Sequence, residues 1–202
     1  MHTLWLSALL LGEAEAGSLF GGRVAESNQV YFHVGYPTTE VGFHLPVGDR
    51  FEVTPWARFR YGWGTFVGGL WTGPGIDLRA QVYSKDELSV ALLFSFGSEF
   101  LLNGGYFGAQ LSLGHPGAMV SWGLTDELDL DFGLRVQPWL LVGDFINPSL
   151  SIPAFFGVTF ELGDGIELGF RAHGGPWFDL DDPDDLDVDA DVGALFFMGF
   201  AL

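Results

Sequence analysis

Asp191-Val192-Gly193-Ala194-Leu195-Phe196-Phe197-Met198-Gly199-Phe200-Ala201-Leu202 decides how the rest of the chain is read. Val192, Ala194, Phe196, Met198, Phe200 and Leu202 form one apolar file, and Asp191, Gly193, Leu195, Phe197, Gly199 and Ala201 form the other. A period of two sends successive side chains to opposite faces of an extended backbone, so this stretch is a β-strand with one greasy face.

The same alternation recurs upstream. Val30, Phe32, Val34 and Tyr36 alternate with Gln29, Tyr31, His33 and Gly35, and after Pro37-Thr38-Thr39 the chain returns with Val41, Phe43 and Leu45 on its apolar side. Beyond the turn at 46–50 come Phe51, Val53, Ala57, Phe59 and Tyr61, then Ile76, Leu78, Ala80 and Val82. Leu88, Val90, Leu92, Phe94 and Phe96 follow the turn at 84–87, residues 118–124 return, and a turn at 125–127 leads to Leu128, Leu130, Phe132, Leu134 and Val136. A last hairpin joins residues 152–162 to 166–173 through Gly163-Asp164-Gly165. The short turns centre near Gly48, Lys85, Asp126 and Asp164, at spacings of 37, 41 and 38 residues, which is an internal repeat of strand, long loop, strand and short turn. It predicts ten antiparallel strands, with eight or twelve as alternatives, and both chain ends on the short-turn side. Residues 64–75, 97–105, 138–150 and 174–190 read as long loops, and residues 107–114 as an extension of the second of them.

Composition narrows the class. The chain has 202 residues, 48% of them hydrophobic and 16% aromatic, with 30 Gly, 10 Pro and no Cys. No apolar run approaches the roughly 20 residues that a membrane-crossing helix needs. Without cysteine, disulfides and thiolate metal sites are excluded. A net charge of −18, from 26 acidic against 8 basic residues, argues against nucleic acid as a partner.

The distribution of charge says which file faces out. The apolar files carry no Asp, Glu, Lys or Arg, while the opposite files carry Arg58, Arg60, Arg79, Arg135 and Arg171 with Glu52, Asp77, Asp129, Asp131, Glu161 and Glu167. A file facing water would be rich in Lys; the single lysine, Lys85, sits in a turn. The polar files are instead rich in Gly, which suits the crowded inside of a small curved sheet. The eleven charged residues are therefore expected inside, as a ladder of mutual ion pairs. Trp56, Tyr61, Trp63, Trp71, Trp122, Trp139 and Trp177 lie near strand ends or in loops, where aromatic girdles at two headgroup levels would place them.

With Phe196, Met198, Phe200 and Leu202 on the outer file of a closing strand, and short turns on one rim and long loops on the other, the chain resembles the small, porin-like β-barrels of the Gram-negative outer membrane, without the motif of one subfamily. It ends on Leu202 where that family usually ends on Phe. The resemblance implies an all-β, closed, antiparallel up-and-down transmembrane barrel over residues 29–202, located in the cell outer membrane. It also implies contact with outer-membrane lipid and lipopolysaccharide, and recognition of Phe196, Met198, Phe200 and Leu202 by the barrel-assembly machinery. The sequence start agrees: an apolar run over residues 4–11 precedes Ala14-Glu15-Ala16, a small-x-small site, so residues 1–16 read as a signal peptide and residues 17–28 as a loose lead-in.

The expected function is an integral barrel whose filled or narrow charged lumen is structural or passes a small solute or ion. A soluble secreted barrel binding an apolar ligand inside is the alternative, and a barrel enzyme a further one. His33, His44, His115 and His173 have acids nearby in sequence but no Ser/His/Asp spacing, so no catalytic residue is assigned and no cofactor is expected. Asp181, Asp185, Asp187 and Asp189, within an acidic stretch, form a candidate Ca²⁺ ligand set. The stretch lacks the Gly and closing Glu of an EF-hand loop, and a solvated outer loop is the competing reading.

Overall fold

The computed structural model describes residues 21–61, 70–102, 108–143, 146–163, 165–181 and 187–202. The expected signal peptide, residues 1–16, lies outside them, as do Trp63 and Asp164. Thirteen strands and no helix occur among the described residues: β1 (Gln29–Tyr36), β2 (Thr38–Pro46), β3 (Phe51–Arg60), β4 (Trp71–Lys85), β5 (Leu88–Leu101), β6 (Ala109–Ser112), β7 (His115–Thr125), β8 (Leu128–Arg135), β9 (Gln137–Val142), β10 (Ile146–Ser151), β11 (Ala154–Glu161), β12 (Ile166–Asp179) and β13 (Val188–Ala201). Each pairs antiparallel with its neighbours.

The pairings close on themselves. From β5 the ladder runs through β4, β3, β2, β1, β13, β12, β11, β8 and β7, and β7 pairs back with β5, which makes a ring of ten. The first strand meets the last in register, from Gln29 opposite Ala201 to Tyr36 opposite Ala194. Nearer the long-loop rim, β6, β9 and β10 span the same gap between β5 and β12. They continue β7, β8 and β11 across single-residue or two-residue breaks. Residues 107–114, 138–150 and 174–190, expected as loops, therefore belong in large part to the wall, and β5 likewise runs on to Leu101.

Proline and glycine cause these breaks. Gly114 has φ +96°, which only glycine adopts without strain, and Pro116, Pro138, Pro148 and Pro153 cannot donate to a ladder. The wall stays continuous because N–H groups at the breaks find the carbonyls of prolines on the next strand. Leu113 donates to Pro138, Val136 to Pro116, Arg135 to Pro153 and Ile152 to Pro176, all at 2.9–3.1 Å. On the other rim the short turns also need the left-handed region, with φ +83° at Gly48, +52° at Asp86 and +79° at Gly163.

Burial inverts the pattern of a water-soluble protein. Phe196 is 68% and Leu92 52% exposed on the outer surface, whereas Glu52 is 0% and Asp131 2% exposed inside. Large apolar side chains cover the outside of the ring strands and charged ones face in, together with the inward apolar side chains of Tyr31, Trp56, Leu93, Met119, Phe155, Leu195 and Phe197. One part of the aromatic reading is corrected: Trp56, Trp71, Trp139 and Trp177 are buried and point inward, leaving Trp122 with Tyr36, Tyr61 and Tyr83 on the outer surface. Two of the inward indoles meet buried charge there: Trp56 lies under Arg58 and donates to Asp77, and Trp139 lies under Arg60.

The described part of the lead-in, from Gly21 on, is seated against the ring. Val24 and Ala25 are buried, and residues 21–27 sit in the short-turn mouth of the ring. Gly22 N–H donates to Ser121 Oγ (2.7 Å) and Ala25 N–H to Glu52 Oε2 (2.9 Å).

Candidate functional site

Every residue of the expected ladder lies on the inner file, but the structure divides them between two chambers. In the short-turn half, Glu52 gathers His44 Nδ1 at 2.6 Å, the Thr54 hydroxyl at 2.9 Å and Arg79 Nη1 at 3.7 Å. Arg79 also donates to the carbonyl of Arg23 (2.8 Å), and the Arg23 guanidinium reaches Asp129 at 3.3 Å. Asp131 accepts from Ser121 (2.5 Å) and from Thr159 (2.6 Å). Glu167 is buried in the same half. Below them opens a vestibule of about 1210 Å³ whose wall includes Glu26, Asp49, Asp86, Glu87, Asp126 and Glu161.

A septum of side chains stands between the halves. Tyr31, Trp56, Leu195 and Phe197 form one buried apolar cluster that projects inward from the neighbouring strands β1, β3 and β13. Inner-file glycines make room for it: a Cβ on Gly75 would lie 2.0 Å from the Trp56 ring, one on Gly169 2.1 Å from Phe197, and one on Gly42 2.5 Å from Tyr31. The septum is tethered by polar tips, as buried Tyr and Trp require. The Tyr31 hydroxyl donates to Glu40 Oε1 (2.7 Å) and Trp56 Nε1–H to Asp77 Oδ1 (2.8 Å).

The long-loop half holds the remaining arginines. Arg58 pairs with Glu40 through Nε at 2.6 Å and with Glu99 at 3.5 Å; Arg60 also binds Glu99, and Arg135 meets Asp77 at 3.6 Å. The guanidiniums lie over rings: Arg58 over Trp56 (4.2 Å), Arg60 over Trp139 (4.9 Å), and both Arg135 (5.5 Å) and Arg171 (5.0 Å) over Phe155. They border a cavity of about 90 Å³.

Sequence reasoning missed Arg23, Glu40 and Glu99. Glu40 shares its file with Gly42 and His44, and Glu99 extends the file of Ser89, Leu93 and Ser95; following the period two residues further would have found both. Arg23 lies in a stretch without alternation and gave no signal.

Among the described residues the histidines do not assemble a nucleophile. His33 lies 3.5 Å from Glu40 and His44 against Glu52, while His115 Nε2 is 3.3 Å from the Pro138 carbonyl. Ser151, Asp191 and His173 do meet, with the serine donating to Asp191 Oδ2 at 2.5 Å and His173 Nε2 3.4 Å from Asp191 Oδ1. Here the carboxylate stands between serine and imidazole, so the imidazole cannot take the serine proton, and Ser151 is fully buried. Of the candidate Ca²⁺ set, Asp185 lies outside the described residues; among the described residues no three carboxylates or imidazoles come together with metal-holding geometry.

No protein-family model matches the chain, and no curated protein matches it in sequence. Its solved structural neighbours are outer-membrane β-barrel proteins. The KdgM porin in complex with disordered oligogalacturonate shares 10% identity over 87% of this chain and 99% of its own, with TM-score 0.46. The Vibrio cholerae outer-membrane protein OmpT shares 8% over 82% of this chain and 56% of its own, with TM-score 0.37. A mutant of the Rh. blastica porin shares 7% over 87% and 99%, with TM-score 0.23.

Proposed function

We propose that the chain is an integral outer-membrane β-barrel of ten strands whose lumen is partitioned and closed to bulk flow. The observation that carries this reading is the inversion of faces on a closed ring: charged side chains are inside and large apolar ones cover the outside. Apolar surface of that extent and continuity belongs against a lipid phase. A closed ladder leaves no unpaired backbone edge there, where each such group would cost several kcal/mol. In this reading residues 1–16 direct export and are removed. The partners are outer-membrane lipid, lipopolysaccharide and, before insertion, the assembly machinery that reads Phe196, Met198, Phe200 and Leu202 on β13. Nucleic acid is not among them. No catalytic role is proposed.

The septum of Tyr31, Trp56, Leu195 and Phe197 is what closes the tube, with residues 21–27 seated beneath it. Full-length protein that shows heat-modifiable migration and inserts into planar bilayers is expected to carry no current above leak. A Trp56→Ala/Phe197→Ala variant that still shows the folded band is expected to conduct. A chain that never inserts removes the membrane reading. A wild type that conducts as an open pore removes the septum.

A further inference from the structure

On the long-loop side the wall has an open edge above the closed ring. β1 stops at Tyr36, opposite Ala194, where Pro37 turns the chain into β2, while β13 and β12 run on together as far as Val188 opposite Phe178. Residues 188–193 of β13 therefore have a partner strand on one side and none, among the described residues, on the other. Three bonds show which way each backbone group points. The Ile152 N–H uses the Pro176 carbonyl, so Pro176 and Ala190, which stand opposite one another, turn their ladder groups apart. The Asp187 carbonyl accepts from Asp179 on the β12 side, and the Leu202 N–H donates to Asn28 on the β1 side. Successive residues of a strand alternate, so Val188, Ala190 and Val192 present their N–H and C=O groups to the open side.

The stretch Val188-Asp189-Ala190-Asp191-Val192-Gly193 has no Pro, Lys or bulge to blunt it as an edge. Val188, Ala190 and Val192 are exposed on the outer file, and Asp187 and Asp189 are exposed on the other. Asp191 is held by Ser151 and His173, whereas no side-chain bond engages Asp187 or Asp189 among the described residues. A second copy of this edge would set aspartate against aspartate, which disfavours pairing. A strand with Lys or Arg at alternate positions does the reverse. On the open side Asp187 and Asp189 fall at non-hydrogen-bonded positions, where facing side chains come closest. We infer that this edge takes up an extended basic segment of another polypeptide as an added antiparallel strand, with apolar residues facing Val188, Ala190 and Val192 and Lys or Arg facing Asp187 and Asp189. In the membrane reading the edge lies beyond the acyl region, as unpaired ladder groups require, with Tyr36 and Tyr61 outward at the ends of β1 and β3 below it. The edge is present whether or not lipid surrounds the ring, so the inference stands apart from that reading.

Calorimetry on full-length protein in a zwitterionic detergent, with empty micelles as the blank, tests it. The probe is a blocked peptide of alternating Val and Lys. Its counterparts are the Val/Glu peptide and a Val/Lys peptide N-methylated at every valine, which keeps the charge and removes the ladder donors. Saturable binding of the Val/Lys peptide is expected, with none of the Val/Glu peptide and about tenfold weaker binding of the methylated one. Ala190→Pro removes an edge N–H and takes nothing from the β12 ladder, and Asp189→Lys reverses a facing charge. Each should weaken the Val/Lys peptide by about tenfold, while Lys85→Gln on the opposite rim leaves it unchanged. Folded wild type without saturable binding overturns the inference, as does a methylated or Val/Glu peptide that binds as tightly, or a folded Ala190→Pro of unchanged affinity. Self-association that Ala190→Pro abolishes would give the edge to a second copy and overturn it too. Protein that binds the peptide yet never inserts into a bilayer would instead sink the membrane reading alone.

Discussion

Leu92→Arg is expected to lower the stability of the folded protein in lipid vesicles by about 2–4 kcal/mol, the cost of placing a cation on the lipid face near the midplane of a membrane barrel. Leu92 stands well inside the span of β5, opposite Ala80 on β4 and Ala118 on β7, with half its surface outward. Nothing on that outer file could neutralise a guanidinium, since the neighbouring outward side chains are apolar on both adjoining strands. Urea titration in vesicles, followed by tryptophan fluorescence, reads the effect as a lowered midpoint. On a water-facing surface the same change would be worth a few tenths of a kcal/mol at most, so an unmoved midpoint would remove lipid from the outside of the ring.

Glu52→Leu is the second large effect, and it acts from the opposite face. Glu52 is fully buried and holds together His44, Thr54, Arg79 and the backbone of Ala25. Removing one partner of a buried ion pair leaves the other uncompensated, at about 3–5 kcal/mol. Arg79 would lose its carboxylate, and residues 21–27 would lose the acceptor of the Ala25 N–H. Glu52→Gln keeps one acceptor oxygen, for either Thr54 or Ala25, and should cost visibly less. Urea midpoints of the two variants, in the same vesicles, rank them. A leucine variant as stable as the glutamine one would mean that the short-turn half is not organised around this carboxylate.

The outer face was legible in the sequence because it depends only on period and on the absence of charge. Phe32, Leu92, Phe196 and their neighbours each follow that rule locally. The inner face was legible as a set of residues but not as a set of pairs. Glu40 and Arg58 stand opposite one another across β2 and β3, whereas Arg60 on β3 finds Glu99 on β5 and Arg135 on β8 finds Asp77 on β4, past intervening strands, and the curvature that joins them is not written in any local pattern. The upper wall was hidden for a different reason. Gly114, Pro138 and Pro153 interrupt the alternation just where β6, β9 and β10 continue the strands below them, so punctuation that marks loops elsewhere here marks bends in a wall. The seating of residues 21–27 rests on backbone N–H and C=O groups meeting lumen side chains, and those bonds leave no signature in residue type. Indoles at strand ends pointed to girdles, yet Trp71, Trp139 and Trp177 turned inward; strand-end position does not tell inside from outside.

The most direct measurement compares nitroxide labels at Leu92 and Leu93, adjacent on β5 and facing opposite ways, at 52% and 5% exposure. In protein reconstituted into vesicles, the Leu92 label is expected to collide freely with oxygen dissolved in the acyl chains and to be shielded from a water-soluble nickel complex, while the Leu93 label is shielded from oxygen. A Leu92 label that the nickel complex reaches as readily as it reaches a label at the Asp86 turn would contradict the assignment of the apolar face to lipid.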